Sequence, residues 1–166
     1  MAITYHQLGS VAQDRGALDE AEAWYRKALE IREAIGDRAG MAKTYHQLGI
    51  VAQSRGALDE AEAWYRKSLE IEEALGDRPS LAVTYGQLGL LAEARGDADL
   101  ALQWTIRCIT LFDAFGHPAT GPAPNHLARL TKTHGADALA DAWRTITGAP
   151  PPEGLVEALK ETGRDE

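Results

Sequence analysis

A repeat of 40 residues is the feature of this sequence that most restricts its fold. The motif TYHQLG occurs at residues 4–9 and again at 44–49, and TYGQLG follows at 84–89. Residues 1–40 match residues 41–80 at 32 of 40 positions. A fixed period of this length indicates similar supersecondary units that bury their apolar faces against their neighbours. We predict repeats at 1–40, 41–80 and 81–120, and a degenerate repeat at 121–147 with helices from Asn125 to His134 and from Asp137 to Thr147. A Pro-rich break and a C-terminal capping helix at 148–166 would follow, with that helix near Glu153 to Glu161 and the negative charge of Glu153 in its first turn.

The apolar spacing within each repeat is helical. Tyr5, Leu8, Gly9 and Ala12 fall at i, i+3, i+4 and i+7, which places them on one face of an α-helix. The second segment of each repeat carries two such stripes, so a helix there needs two packing partners. Glycines at positions 16 and 36, and at the equivalent positions of later repeats, lie where a helix must end. The sequence therefore predicts an all-α, right-handed α-solenoid of stacked antiparallel helix hairpins.

Each predicted first helix has a glycine in its middle, at positions 9, 49 and 89. Glycine there costs about 0.5 to 1 kcal/mol relative to alanine. We expect that a close approach of the second helix offsets this cost. The small residue opposite Gly9 would be Ala21, with the same pairing at 49 and 61 and at 89 and 101.

Composition excludes several classes of protein. Lys and Arg total 17 against 25 Asp and Glu, a net charge of −8, which disfavours nucleic acid as a partner. The one cysteine, Cys108, excludes an internal disulfide and a multi-thiolate metal site, and we expect it to be a buried, inert thiol. No apolar stretch approaches the roughly 18 residues that a membrane span needs. We expect a cytoplasmic protein.

The pattern of these residues resembles the tetratricopeptide repeat family, whose unit pairs an aromatic, Leu-Gly, a turn glycine, and then Ala, aromatic and Ala. Those places are filled by Tyr5, Leu8, Gly9, Gly16, Ala21, Tyr25 and Ala28, and in the second repeat by Tyr45, Leu48, Gly49, Gly56, Ala61, Tyr65 and Ser68. The third repeat departs, with Thr105 for the second aromatic and Cys108 for the last Ala. The extended 40-residue unit is similar to the repeats of kinesin light chains, of spindle-orientation adaptors and of bacterial NTPase regulators. The resemblance implies a non-catalytic scaffold for proteins or peptides, one module of a larger regulator or adaptor.

No arrangement typical of catalysis stands out. The sequence lacks a phosphate-binding Gly-rich loop with Lys, a Gly-x-Ser-x-Gly elbow and a His-Glu-x-x-His pair. His126 and His134 are eight residues apart, too far to share a metal without a third ligand. The tryptophans at 24, 64, 104 and 143 recur once per unit, which indicates packing between helices. We expect no enzyme, no cofactor and no metal.

The first helices of such a stack would line its concave surface, where a partner would bind. Amide and aliphatic side chains dominate that lining, which suits an extended peptide. The candidate binding residues are His6, Gln7, Ser10, Gln13, Lys43, His46, Gln47, Ile50, Gln53, Val83, Gln87, Leu90 and Glu93. By resemblance, Gln7, Gln47 and Gln87 occupy the place where related repeats carry an asparagine that contacts peptide backbone.

Two partner hypotheses remain open. Asp14 and Glu93 against Lys43 make the lining slightly acidic, which favours a neutral or basic extended segment, with neither nucleic acid nor membrane as partner. Alternatively, the first repeat has no helix preceding it in this sequence, so an apolar edge that includes Ile3, Leu8 and Val11 would be exposed and could support a homodimer or larger self-assembly. Met1 begins directly in a full repeat, so we expect that the chain could be a fragment of a longer protein.

Overall fold

The computed structural model describes residues 1–112 and 117–162, with the side chains of 160–162 excepted. Helices account for the regular structure of these residues. Their bounds are α1 Ala2–Asp14, α2 Leu18–Ile35, α3 Arg38–Ser54, α4 Leu58–Leu75, α5 Arg78–Ala94, α6 Ala98–Thr110, α7 Ala123–His134, α8 Ala136–Thr147 and α9 Leu155–Thr162, with a 3-10 turn at Pro118–Thr120. No helix within the described ranges is long and apolar enough to cross a membrane.

Local sequence signals set the ends of these helices. Gly36 ends α2 at φ 70°, and Gly76 ends α4 at φ 66°, both in the left-handed region that glycine enters without steric cost. Asp37 then begins α3, because its carboxylate accepts a hydrogen bond from the backbone N–H of Gly40 at 2.9 Å. The chain therefore reverses between second and first helices where the sequence predicts it.

The first compact unit, Met1–Asp77, contains α1 to α4. Helix α2 packs against both α1 and α3, and α3 packs against α4, so α2 has the two partners that its two apolar stripes require. Tyr25 and Ala21 are fully buried in this core, and Leu48 and Val51 of α3 are each 1% exposed. Stacked hairpins thus share one continuous core in this unit.

The second compact unit begins at Arg78 and contains α5 to α9. Helix α6 packs against α5, α7 and α8, and α7 also packs against α9. Leu102, Leu127 and Leu139 are fully buried. Leu155 and Leu159 of α9 are 6% and 3% exposed, so α9 covers apolar surface of α7.

The C-terminal helices begin at different residues from those predicted. Helix α7 begins at Ala123 and not at Asn125, because proline is tolerated in a first helical turn, where its missing N–H is not needed. Glu153 lies before α9, which begins at Leu155, so the acidic residue of its first turn is Glu157. The negative charge still lies at the helix end that favours it.

In the first two repeats the atoms nearest to the mid-helix glycine belong to a tyrosine and not to the alanine that the sequence suggested. A Cβ on Gly9 would lie 2.6 Å from Cε1 of Tyr25, and one on Gly49 would lie 2.5 Å from Cε1 of Tyr65. Both tyrosine rings are fully buried and lie over the glycine backbone. In the third repeat the nearest atom is Oγ1 of Thr105, at 2.8 Å from the Cβ position of Gly89, and the backbone oxygen of Ala101 follows at 3.5 Å, so the predicted close approach of residues 89 and 101 is present there. A side chain larger than hydrogen at position 9 or 49 would displace the tyrosine ring, which is why glycine is needed at both positions.

Candidate functional site

The thirteen predicted binding residues lie on the first helices α1, α3 and α5, and each is exposed or partly buried. None belongs to the core, so all of these positions can meet solvent or a ligand. The two compact units present them separately. Helices α1 and α3 carry nine in the first unit, and α5 carries Val83, Gln87, Leu90 and Glu93 in the second.

Three of the predicted residues on α1 converge on Tyr25 of α2. The Tyr25 hydroxyl donates to Oε1 of Gln13 at 3.0 Å and lies 3.2 Å from Oγ of Ser10. The imidazole of His6 lies over the same phenol, with 5.2 Å between ring centroids. The second helix therefore fixes the side chains of His6, Ser10 and Gln13 from beneath, which reduces the entropy they would lose on binding a ligand.

The second repeat keeps this arrangement, but with a less polar lining. His46 lies over Tyr65 with 5.4 Å between centroids, and the Tyr65 hydroxyl donates to Oε1 of Gln53 at 2.8 Å. Ile50 stands where the first repeat has Ser10. Burial lowers the pKa of His46 to about 4 and raises that of Tyr65, since both charged forms would lose hydration. His46 is therefore neutral at pH 7 and brings no charge to this surface.

A buried arginine that sequence reasoning missed links the first two repeats. Arg32 of α2 is 6% exposed, and its Nη1 donates to the carbonyl of Gly40 at 2.6 Å and to Oγ1 of Thr44. Nη1 also lies 3.5 Å from Nδ1 of His6, and Nε lies 3.7 Å from a carboxylate oxygen of Asp37. Burial, then the positive charges of Arg32 and Lys43, hold the pKa of His6 below its usual value. The sequence did contain a signal for Arg32, because the equivalent position of the second repeat holds a residue of opposite charge, Glu72.

The second unit contains a cavity of about 280 Å³ beside α5. The predicted residues Val83, Gln87 and Leu90 line it, together with Gly86. Its other walls come from the segment that enters α7 and from α7 itself, through Ala119, Thr120, Gly121, Pro122, Ala123, Asn125, His126 and Arg129. Aliphatic groups thus form most of the interior, with amides and cationic groups at particular points, as is usual in ligand sites.

A hydrogen-bonded cluster borders this cavity. Oε2 of Glu93 lies 3.1 Å from Nε2 of His126 and 2.9 Å from Nη2 of Arg129. Nδ1 of His126 lies 3.2 Å from Oγ1 of Thr105. The hydrogen bond from Arg129 contributes most to the lowered pKa of Glu93, and burial lowers the pKa of His126 against the opposing effect of Glu93. Glu93 therefore does not act as the free negative charge that the sequence indicated, because Arg129 neutralises it.

Sequence reasoning missed His126 and Arg129 because α7 belongs to the degenerate repeat, whose register is shifted. Their spacing of three residues along a helix was the available signal, since it places both on one face. The remaining candidates for chemistry lie in packing positions. Cys108 is fully buried, and burial raises its pKa to about 11. Across the described residues, no group of three or more His, Cys, Asp or Glu side chains could hold a metal ion.

In each of the first three repeats the tryptophan of the second helix stacks on a tyrosine of the first helix. Ring centroids are 5.5 Å apart for Trp24 and Tyr5, and 5.7 Å apart for Trp64 and Tyr45. The ammonium group of Lys27 lies 4.4 Å from the centroid of Trp24, which adds a cation–π contact. This geometry supports the predicted packing role of these three rings, and Trp143 of α8 is buried, at 6% exposure.

Comparison with known proteins identifies the repeat. The tetratricopeptide repeat profile matches residues 1–74 and, in a second alignment, residues 40–114. No curated protein sequence matches the chain. Among solved structures, BtubC (BKLC) from P. vanneervenii is similar, with a TM-score of 0.72 at 20% identity, over 97% of this chain and 62% of that chain. The chain therefore spans less than two thirds of the length of BtubC.

A kinesin light chain of Podospora anserina with nearly identical TPR-like repeats is also similar. Its TM-score is 0.67 at 16% identity, over 99% of this chain and 77% of that chain. At such identities the two structures show a shared fold, which confirms the predicted all-α array of stacked helical hairpins. Because the family profile covers more than half of the sequence, the chain belongs to the tetratricopeptide repeat family.

Proposed function

We propose that this protein is a non-catalytic scaffold that binds an extended peptide segment of a partner on the exposed faces of its first helices, as one module of a larger cytoplasmic regulator or adaptor. Tetratricopeptide repeats are generally protein-interaction modules, which supports the coarser part of this proposal. The observation that carries the finer part is the cavity beside α5, because three of its lining residues are ligand contacts that the sequence predicts.

The chemistry of the lining supports a peptide ligand. Gln87 offers an amide that can both donate to and accept from a peptide backbone, and Val83 and Leu90 offer aliphatic contacts for side chains. Val83 is 49% exposed, although burial of such a side chain contributes about 1.5 to 3 kcal/mol. Covering Val83 with a ligand would therefore contribute favourable hydrophobic free energy to binding.

The charge of the protein supports a neutral or basic partner. His46 is neutral at pH 7, and Arg129 neutralises Glu93, so the surface itself demands no particular charge from the ligand. The net charge of −8 nevertheless attracts a basic segment at longer range. This steering acts on the association rate and weakens as salt rises.

Peptide display on the immobilised protein tests the proposal. A triple variant, Gln47→Asp, Ile50→Lys and Leu90→Asp, changes partly buried positions of α3 and α5 and should abolish capture of the selected peptides while the helical circular dichroism is retained. The matched control places the same three charged residues on exposed alanines of second helices, as Ala23→Asp, Ala63→Lys and Ala34→Asp. Equal capture by the folded triple variant and by this control would refute binding at the first helices.

Self-assembly is a second candidate, favoured by the exposed side of α1. Leu8 and Val11 are 40% and 44% exposed, whereas Leu48 and Val51, at the same positions of the next repeat, are each 1% exposed. A second copy of the chain that covered α1 would bury both side chains. Light scattering across a concentration series tests this, and a dimer that is lost in Leu8→Glu would support it, whereas a constant monomer mass would exclude it.

A further inference from the structure

Two aromatic rings that the first two repeats share are missing from the third. In those repeats a histidine lies over a tyrosine, His6 over Tyr25 and His46 over Tyr65, at centroid distances of 5.2 and 5.4 Å. The equivalent residues of the third repeat are Gly86 and Thr105. Neither can supply a ring, so the volume that an imidazole and a phenol occupy in each earlier repeat must be filled differently or left open.

His126 of α7 takes over part of this volume. It is 6% exposed, its Nδ1 lies 3.2 Å from Oγ1 of Thr105, and its Cε1 lies 3.5 Å from the Cβ position of Gly89. In the first two repeats a tyrosine ring covers the glycine at that position. His126 therefore occupies the side of the site where the tyrosine ring is missing.

The place of the histidine ring stays open. A Cβ built on Gly86 would meet nothing within 4 Å, and Gly86 lines the cavity of about 280 Å³. Leu90 replaces the Ser10 and Ile50 of the earlier repeats and forms an aliphatic wall one turn further along α5. The substitutions that remove the rings therefore coincide with an open, mostly apolar space on the surface that we propose binds a peptide.

We propose that this cavity takes an aromatic side chain of the bound peptide, in the place where the earlier repeats hold their own imidazole. The inference rests on the proposed peptide-binding function and specifies its ligand. The volume of about 280 Å³ lies at the lower end of the range of small-molecule sites, which suits one large side chain.

The walls of the cavity favour a flat group over a branched aliphatic one. Gly86 has no side chain, so the face of a ring can approach the backbone of α5 closely. Arg129 lines the same cavity, and its guanidinium can lie against the ring. Because Arg129 already pairs with Glu93, no charge is required from the aromatic residue.

Fluorescent decapeptides of Ser and Gln with one central Phe, Leu or Ala test this proposal on the full chain. We expect the Phe peptide to bind about tenfold more tightly than the Ala peptide and at least threefold more tightly than the Leu peptide by fluorescence anisotropy. In methyl-labelled protein, the Phe peptide should shift the resonances of Val83 and Leu90, which line the cavity.

The variant Gly86→His restores the residue of the earlier repeats and should remove the preference for Phe. It should also fold normally, because nothing lies within 4 Å of the new Cβ. The matched control, Lys132→His, adds the same side chain at an exposed position of α7 that does not line the cavity, and should bind like the wild type.

Three results would overturn the aromatic pocket. These are equal affinity for the Phe and Leu peptides, absence of Phe binding at the cavity methyl groups, and an unchanged Phe preference in folded Gly86→His. The proposed function has a separate test. If display peptides are captured, and lost in the triple variant, while the Phe preference is absent, the scaffold function stands and only the aromatic pocket fails.

Discussion

Two glycine-to-alanine substitutions at mid-helix positions should change stability in opposite directions. Gly49 and Gly86 both lie within first helices, so alanine at either position should gain about 0.5 to 1 kcal/mol of helix stability. Their surroundings differ. A Cβ on Gly49 would lie 2.5 and 2.6 Å from two ring carbons of Tyr65, whereas a Cβ on Gly86 would meet nothing within 4 Å.

The contact at Gly49 decides the sign of its effect. Tyr65 is fully buried and its hydroxyl donates to Gln53 at 2.8 Å, so the ring cannot shift without straining the core or losing that hydrogen bond. Overpacking costs about 1 to 3 kcal/mol, and a lost hydrogen bond about 1 kcal/mol. After the helix gain is subtracted, Gly49→Ala should destabilise the protein by about 1 to 3 kcal/mol, and Gly86→Ala should stabilise it by about 0.5 to 1 kcal/mol.

Urea unfolding followed by tryptophan fluorescence and by circular dichroism measures both changes. Agreement between the two probes would show that the array unfolds cooperatively enough for a single free energy to be assigned. Gly9→Ala is a second test, because a Cβ there would lie 2.6 Å from Cε1 of Tyr25. The reasoning would be refuted if Gly49→Ala were as stable as the wild type, or if Gly86→Ala were destabilised to the same degree as Gly49→Ala.

Three further perturbations follow from the structure. Burial lowers the pKa of His46 from 6.5 to about 4, so the folded state favours the neutral imidazole. The free energy of unfolding should therefore be highest above pH 6.5 and should fall by about 3 kcal/mol as the pH is lowered to 4. In His46→Gln, unfolding measured against pH should show a shallower fall, and a fall identical to that of the wild type would contradict this prediction. Arg32→Ala should lower the free energy of unfolding by about 2 to 4 kcal/mol. Arg32→Met should lower it by less than half as much, because Met fills the space and Oγ1 of Thr44 still donates to the Gly40 carbonyl. Equal losses for the two variants in urea unfolding would contradict this explanation. Deletion of residues 150–166 removes the buried leucines of α9 and should lower the thermal midpoint by several degrees, and an unchanged midpoint would show that α9 is not a cap.

Much of the candidate surface could be predicted because helical periodicity separates buried from exposed positions. Tyr5, Leu8, Gly9 and Ala12 define one face of a first helix, so the residues between them are assigned to the other face. All thirteen residues selected in this way are exposed or partly buried. Exposure follows from local spacing, but which exposed residues share a cavity depends on segments that are distant in sequence.

The sequence by itself determined the repeat unit and the ends of its helices. The period of 40 residues, the apolar spacing and the glycines at 36 and 76 specify helical hairpins that must stack, because each second helix has apolar residues on two sides. These signals are local or repeat regularly, so they can be recognised without coordinates.

Only the tertiary structure decided what lies opposite each first helix. The atoms nearest to Gly9 are those of the Tyr25 ring, because a long side chain of a neighbouring helix reaches across the interface between them. The cavity in the second unit likewise depends on three separate segments, since Gly86 and Thr105 leave space that His126 of α7 only partly fills. Whether a substitution opens a site is determined by what the rest of the chain packs into the vacated volume, which helical spacing does not encode.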